Sequence, residues 1–262
     1  MGGNGSDYGA VPGCCRIRAG KETSCFGFVK KSMSSHNARK GTEKENKMLP
    51  VLQQSREGLI LTDGNLTLMA DFVPMIPRLK QGVLGTELLV RAAKWKKMRD
   101  GKNAPTLIDA TAGLGEDSML LAAAGFSVQM YEQNPIIAAL LEDALNRAAA
   151  VPELSEFAAR MELLNADSIA AMRNLHEAPD VIYLDPMFPE RKKSALIKKK
   201  FQLLGQLEMP CANEEELLGA AIAAHPHKIV IKRPAKGPYL AGIKADYSIS
   251  GKTIRYDCLV FP

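Results

Sequence analysis

An acid, a proline and an aromatic residue close one apolar run: Val181-Ile182-Tyr183-Leu184 leads directly into Asp185-Pro186-Met187-Phe188. A short apolar run ending in this way reads as a buried strand, and the C-terminal ends of parallel strands are where open α/β sheets present their chemistry. The residue types suit the gripping of a planar amine. An exocyclic amine on guanine, adenine or a carboxamide delocalises its lone pair into the adjoining π system, so it is a poor nucleophile until its hydrogens are held out of plane. The Asp185 carboxylate and the Pro186 carbonyl can accept those hydrogens, while proline fixes φ and removes a competing donor. Phe188 adds a face for stacking an extruded base, worth ~1 to 3 kcal/mol on other stacking platforms. Asp185, Pro186 and Phe188 are therefore the candidate catalytic residues.

A second constellation lies upstream, where Asp109-Ala110-Thr111-Ala112-Gly113-Leu114-Gly115-Glu116-Asp117 follows an apolar run at residues 106–110. Gly113 and Gly115 let the backbone turn sharply and approach a ligand with no Cβ in the way. A dinucleotide fingerprint would place Gly or Ala where Ser118 stands, and pyrophosphate would be repelled by the two acids at the start of the next helix. Acids there suit a cofactor with a cationic end and no phosphate, a description that S-adenosylmethionine meets and NAD does not. Glu132 ends the following strand, 19 residues after Gly113, where an acid commonly accepts from the two ribose hydroxyls; that position alone fits either cofactor. Asp167 and Ser168 follow the next strand. They could read an adenine edge or cap the helix after them, and the two roles are compatible. Asp109, Gly113, Gly115, Glu132 and Asp185 thus stand at the ends of consecutive strands.

Beyond the amine motif, Arg191, Lys192, Lys193, Lys198, Lys199 and Lys200 place six cations in ten residues. Charge runs are commonly solvated faces, but beside a base pocket they suit phosphate contacts that anchor without specifying sequence. Lys232 and Arg233, ending another strand, would enlarge that surface.

These residues need a scaffold that brings strand ends together. Strands at 106–110 and 127–132 alternate with helices at 116–124 and from Asn134-Pro135 onward, an N-cap and first-turn pair. Further strands at 161–165, 180–185 and 228–232 alternate with helical patterns near 168–175 and 213–224. Repeated βαβ units predict a parallel sheet, and Ser250-Gly251-Lys252 between strands near 244–249 and 253–261 adds an antiparallel hairpin. A helix over 85–98 should pack on the sheet edge. The fold class is α/β, a mostly parallel, Rossmann-like sheet of seven strands. Residues 51–84 read as a small β cap, with a hairpin turn at Asp63-Gly64-Asn65; residues 1–50 read as a flexible or poorly packed arm, and 85–262 as the main domain.

Nine Lys/Arg against four Asp/Glu in residues 1–50 account for the whole formal charge of +5 in this 262-residue chain, so local clusters rather than overall pI must argue for nucleic acid. Five cysteines, Cys14, Cys15, Cys25, Cys211 and Cys258, form no CxxC pair and have no His cluster beside them, which argues against a disulfide framework and against zinc. No apolar stretch approaches the roughly 18 to 20 residues of a membrane span, so a soluble, cytoplasmic protein is expected.

At these residues the sequence resembles the small-subunit ribosomal RNA methyltransferase J family. The resemblance is carried by Asp109 to Asp117, by Tyr131-Glu132-Gln133-Asn134-Pro135 with Ala138 to Leu141, by Tyr183-Leu184-Asp185-Pro186-Met187-Phe188-Pro189 with Lys193 to Leu196, and by Lys228 to Pro234. It spans residues 105–234, with a weaker likeness back to residue 58 and on to the C-terminus. The Met187-Phe188-Pro189 ending sets this motif apart from the Asn/Asp-Pro-Pro-Tyr/Phe of most amine methyltransferases. The resemblance implies a class I methyltransferase fold and methylation of the N2 amine of a guanosine in 16S rRNA, free or in the small subunit. It also implies S-adenosylmethionine contacts at Glu116, Asp117, Glu132, Gln133, Asp167, Ser168 and Asp185. Two other readings use the same residues: methylation of a DNA adenine or protein glutamine amine, and a non-catalytic RNA-binding module. Carbon-5 pyrimidine methylation is disfavoured, because neither Cys211 nor Cys258 sits in a loop motif at a parallel strand end.

Overall fold

The structure, a computed structural model, describes residues 16–18, 49–94, 104–186, 203–205, 207 and 213–262. A short strand β1 (Arg16–Arg18) comes first, and β2 (Val51–Gln54), β3 (Leu59–Thr62) and β4 (Thr67–Leu68) then form a small antiparallel sheet. The β3–β4 turn is held as its sequence predicts: Asp63 Oδ1 accepts from the N–H of Asn65 (3.0 Å) and Leu66 (2.8 Å). Residues 73–84, expected within the β cap, are instead a 3₁₀ turn (Val73–Met75) and the short helices α1 (Ile76–Leu79) and α2 (Gln81–Leu84). Pro74 and Pro77 occupy first-turn positions, where the missing N–H costs nothing.

Helix α3 (Leu88–Ala93) packs on the antiparallel side of the main sheet; Trp95 to Met98, the rest of the expected helix, lie outside the described residues. The main sheet then builds as β5 (Thr106–Asp109), α4 (Glu116–Ala123), β6 (Ser127–Tyr131), α5 (Pro135–Ala149), α6 (Pro152–Ala158), β7 (Met161–Leu164), α7 (Ser168–Arg173), β8 (Val181–Leu184), α8 (Glu214–Ala223), β9 (Lys228–Pro234), β10 (Tyr247–Ser250) and β11 (Ile254–Val260). Strand order is β7-β6-β5-β8-β9-β11-β10, parallel from β7 to β9 and antiparallel through the C-terminal hairpin, with β1 as an added antiparallel edge on β7. Seven strands and the hairpin match the sequence expectation. The edge strand β1 and helix α6 were not expected from it.

Side-chain alternation divides the core in two. Leu107, Val128, Met130, Leu163, Tyr183 and Val230 meet helices α3 to α6 and the cap on one face. Ile108, Leu164, Ile182, Leu184, Ile229 and Ile231 meet α7 and α8 on the other. A strand buried on both faces must be apolar throughout, which is why β8 reads as an unbroken Val-Ile-Tyr-Leu run. The chain leaves β5 toward β6 on one side and returns at β8 on the other, and at such a change of direction open α/β sheets place their binding crevice, here at the carboxyl ends of β5 and β8.

Candidate active site

Strand β5 ends at Asp109, whose side chain is 1% exposed beneath the loop that follows. Its Oδ1 accepts from Thr111 N–H (3.0 Å) and its Oδ2 from the Ser118 hydroxyl (2.6 Å). Ser118, the residue that breaks the dinucleotide spacing, thus ties helix α4 to the end of β5. Burial pushes the Asp109 carboxyl up to about 7, with the charges of Asp117 and Asp185 adding to it and the bonds from Ser118 and Thr111 opposing it. Asp109 therefore braces the glycine loop from below, with both of its oxygens engaged.

Gly113 and Gly115 take positive φ values of 54° and 75°. A Cβ on Gly115 would stand 2.6 Å from Leu141 Cδ1 and 3.2 Å from Phe72 Cζ. Glycine is required there by its dihedral and again by the close approach of α5 and the cap. The Gly113 N–H donates to Glu132 Oε2 at 3.0 Å, while Glu132 Oε1 accepts from Asn134 N–H at 2.7 Å. Burial raises the Glu132 carboxyl, and backbone N–H groups of Asn134, Gly113 and Gln133 work against that rise. A carboxylate offers about four acceptor positions, so these bonds orient Glu132 without exhausting it. Gln133 is exposed beside it. One strand farther out, Asp167 caps α7 by accepting from Ile169 N–H at 2.9 Å, and Ser168 is the buried first residue of that helix.

The amine motif joins the loop through its backbone: Asp185 N–H donates to Thr111 Oγ1 at 2.7 Å. Its carboxylate meets a cation. Lys232 Nζ lies 2.9 Å from Asp185 Oδ2 and 2.7 Å from Asp117 Oδ2, and the Tyr183 hydroxyl donates to the same Asp117 oxygen at 2.6 Å. Register explains the meeting, since parallel β8 and β9 pair Leu184 with Ile231 and the next residue of each is Asp185 and Lys232. Tyr256 of β11 stands opposite Lys232. Burial works against the Lys232 charge, but the carboxylates of Asp117 and Asp185 more than reverse this and hold its pKa above the ordinary lysine value. The Tyr183 and Tyr256 phenols are raised, chiefly by burial and then by those carboxylates.

The structure thus links Asp109, Asp117 and Asp185 through Thr111, Ser118 and Lys232, and separately joins Gly113 to Glu132, with Gly115 in the same loop. Two expectations are corrected. Lys232 is turned into the carboxylate cluster rather than toward a phosphate, and the Arg233 side chain is 0% exposed, pairing with Glu214 at 3.4 Å and donating to Pro238 O at 2.9 Å. Phe188, Arg191, Lys192, Lys193, Lys198, Lys199 and Lys200 lie outside the described residues. Thr111, Ser118, Tyr183 and Tyr256 are site residues that sequence reasoning passed over. A surface depression of about 360 Å³ between α7 and α8, near Arg173, Asn213 and Glu216, shares no lining residue with the cluster. Among the described residues, no group of His, Cys, Asp and Glu side chains could hold a metal ion, and no helix is long and apolar enough to cross a membrane.

The chain is similar to known proteins. The profile of the SAM-dependent methyltransferase family matches residues 35–261. The chain is 44% identical over 194 residues, covering 72% of its own length and 75% of the relative's, to ribosomal RNA small subunit methyltransferase J of Nitrosococcus oceani. The chain belongs to the ribosomal RNA small subunit methyltransferase J family. The family's protein from Pseudomonas aeruginosa is 49% identical over 154 residues, 58% of this chain and 59% of that one. Among solved structures, a SAM-dependent methyltransferase from Neisseria gonorrhoeae superposes with a TM-score of 0.65 at 29% identity, covering 84% of this chain and 86% of the other. Membership in this methyltransferase J family makes S-adenosylmethionine the cofactor. The residues present fit it: the loop is free of side chains at Gly113, the first turn of α4 carries Glu116 and Asp117 where a phosphate would be repelled, and Glu132 is a fixed acceptor.

Proposed function

We propose that this protein methylates the exocyclic N2 amine of a guanosine in 16S rRNA. The observation that supports the reading is the Asp185 N–H to Thr111 Oγ1 bond of 2.7 Å, which ties Asp185 to the loop that carries Gly113 and Gly115. The names of the Nitrosococcus and Pseudomonas relatives, both small-subunit rRNA methyltransferases, support the substrate class. When bound, S-adenosylmethionine supplies a methyl carbon on a positively charged sulfur, which an incoming nitrogen can displace. Gly113, Gly115, Glu116, Asp117, Glu132 and Gln133 would hold it, with Asp167 and Ser168 at the adenine end.

Asp185 and the Pro186 carbonyl accept the two amine hydrogens and turn the nitrogen lone pair out of the base plane. Methyl transfer to that nitrogen would form a nitrogen–carbon bond as the carbon–sulfur bond breaks, with the electron pair left on sulfur. The nitrogen then releases one proton through Asp185 to water. The freshly methylated nitrogen carries the positive charge and is a strong acid until it loses that proton, so a weakly basic carboxylate suffices. Alignment of the reacting atoms supplies most of the acceleration. Phe188 would stack the base, and Arg191, Lys192, Lys193, Lys198, Lys199 and Lys200 would meet phosphates. A ribosomal substrate would place the protein in the cytoplasm.

The test is transfer of labelled methyl groups to small-subunit rRNA, followed by nuclease digestion and mass spectrometry of the nucleosides. The label is expected in N2-methylguanosine. Asp185→Ala should lower transfer by on the order of 100-fold or more while cofactor binding persists. Equal labelling by that variant, or label in another nucleoside, would end the reading.

A further inference from the structure

We propose that Lys232 is a positioning residue of the amine site, whose ammonium neutralises the Asp117–Asp185 pair and so keeps Asp185 ionised and aimed at the incoming NH2 group. The inference rests on the reading of Asp185 as the amine acceptor. One ammonium touches both carboxylates, at 2.7 and 2.9 Å. Two carboxylates so close to one cation lie close to each other, and without it they cannot both remain charged; one would take up a proton at a raised pH. A protonated Asp185 would offer an O–H where the amine also brings hydrogens, and the grip would be lost.

Among the described residues, the groups around that charge are phenols, acids and one guanidinium already engaged elsewhere. From β8 and β11 come the phenols of Tyr183 and Tyr256, both held neutral by burial. Beneath them Asp109 of β5 contributes another carboxyl. Toward the cap, Arg78 feels Asp117 and Glu116, but Glu87 grips its guanidinium through two bonds of 2.7 and 2.9 Å. The Lys232 ammonium is thus opposed by acids on two elements, and it projects from β9 at the same level as Asp185 on β8.

The experiment records kcat, and KM for RNA and for S-adenosylmethionine, from about pH 5 to pH 9. The proteins compared are wild type, Lys232→Met, Lys232→Arg, Asp185→Ala and the double variant Asp117→Asn/Lys232→Met. In Lys232→Met the acid limb of kcat should move up by about one pH unit or more, with kcat recovering at alkaline pH as Asp185 ionises, and KM for RNA little changed. Arginine at this position should restore the wild-type limb, and so should the double variant, which has no like-charge pair. A Lys232→Met profile parallel to wild type, alongside an inactive Asp185→Ala, would overturn the role of Lys232 alone. Wild-type activity in Asp185→Ala would instead remove the reading beneath it. Should Lys232→Met fail to fold, a shifted limb in the double variant overturns the inference, and a wild-type limb there and in Lys232→Arg supports it.

Discussion

Lys228 and Lys232 project from the same face of β9, four residues apart, yet the two ends of that strand treat the same side chain in opposite ways. At the far end, Lys228 Nζ donates to Ala92 O (3.0 Å) and Lys94 O (2.8 Å), capping the last turn of α3, with the Tyr247 ring 5.8 Å away. These described partners are carbonyl dipoles. Burial dominates, and its pKa is lowered. At the site end, Lys232 meets two full carboxylates and its pKa rises despite burial. The sign of the shift follows the charge of the partners. Lys228 gives the fold an anchor for α3, whereas Lys232 gives the crevice a counter-charge.

The contrast is sharpest where each end is attacked alone. Gly115→Ala strikes the site end through the backbone, combining a left-handed φ of 75° with a Cβ only 2.6 Å from Leu141 Cδ1. It should cost about 2 to 5 kcal/mol, read as a lowered denaturation midpoint together with weakened cofactor binding. Lys228→Met strikes the far end. It strands two helix carbonyls and should cost about 1 to 3 kcal/mol, with activity per folded molecule unchanged. Loss of catalysis in that variant, with stability intact, would break the comparison. The smallest effect belongs to Asp109→Asn. Because the folded Asp109 carboxyl is raised from 3.8 to about 7, its contribution to stability is fully present below the unfolded value and is lost as pH climbs through 7. Asparagine should remove that slope, leaving the variant the more stable at pH 8 by a few degrees in Tm, since about 2 to 4 °C corresponds to each kcal/mol in a domain of this size.

The alternation of β5 through β9 was legible because each strand and helix carries its own period and punctuation: Asn134-Pro135 opens α5, and Gly125 closes α4. The glycine loop, Glu132 and Asp185 could be found from sequence because strand-end chemistry is local. Lys232 was misread, since its neighbours Asp117 and Asp185 come from distant segments and nothing in its own stretch names them. A usable signal existed. Asp185 directly follows the apolar run 181–184 and Lys232 the apolar run 229–231, and residues just past such runs on neighbouring parallel strands lie side by side. The bracing of Thr111 and Ser118 by Asp109 was invisible for a similar reason, as it depends on a tight loop folding back on its own strand. Helical turns at 73–84 escaped because each is only three or four residues long, too short to show a helical period, although Pro74 and Pro77 stand in first-turn positions.

The Gly113 N–H to Glu132 bond joins the ends of adjacent strands β5 and β6 through the protein's own groups. A binding loop that is already stitched to its neighbour surrenders little freedom on capture, so the entropic toll of complex formation falls mainly on the small molecule and the RNA. Amide exchange across residues 109–118 should accordingly be slow in the free protein and change little on loading, and encounter with the cofactor should run at a rate set by diffusion into the crevice.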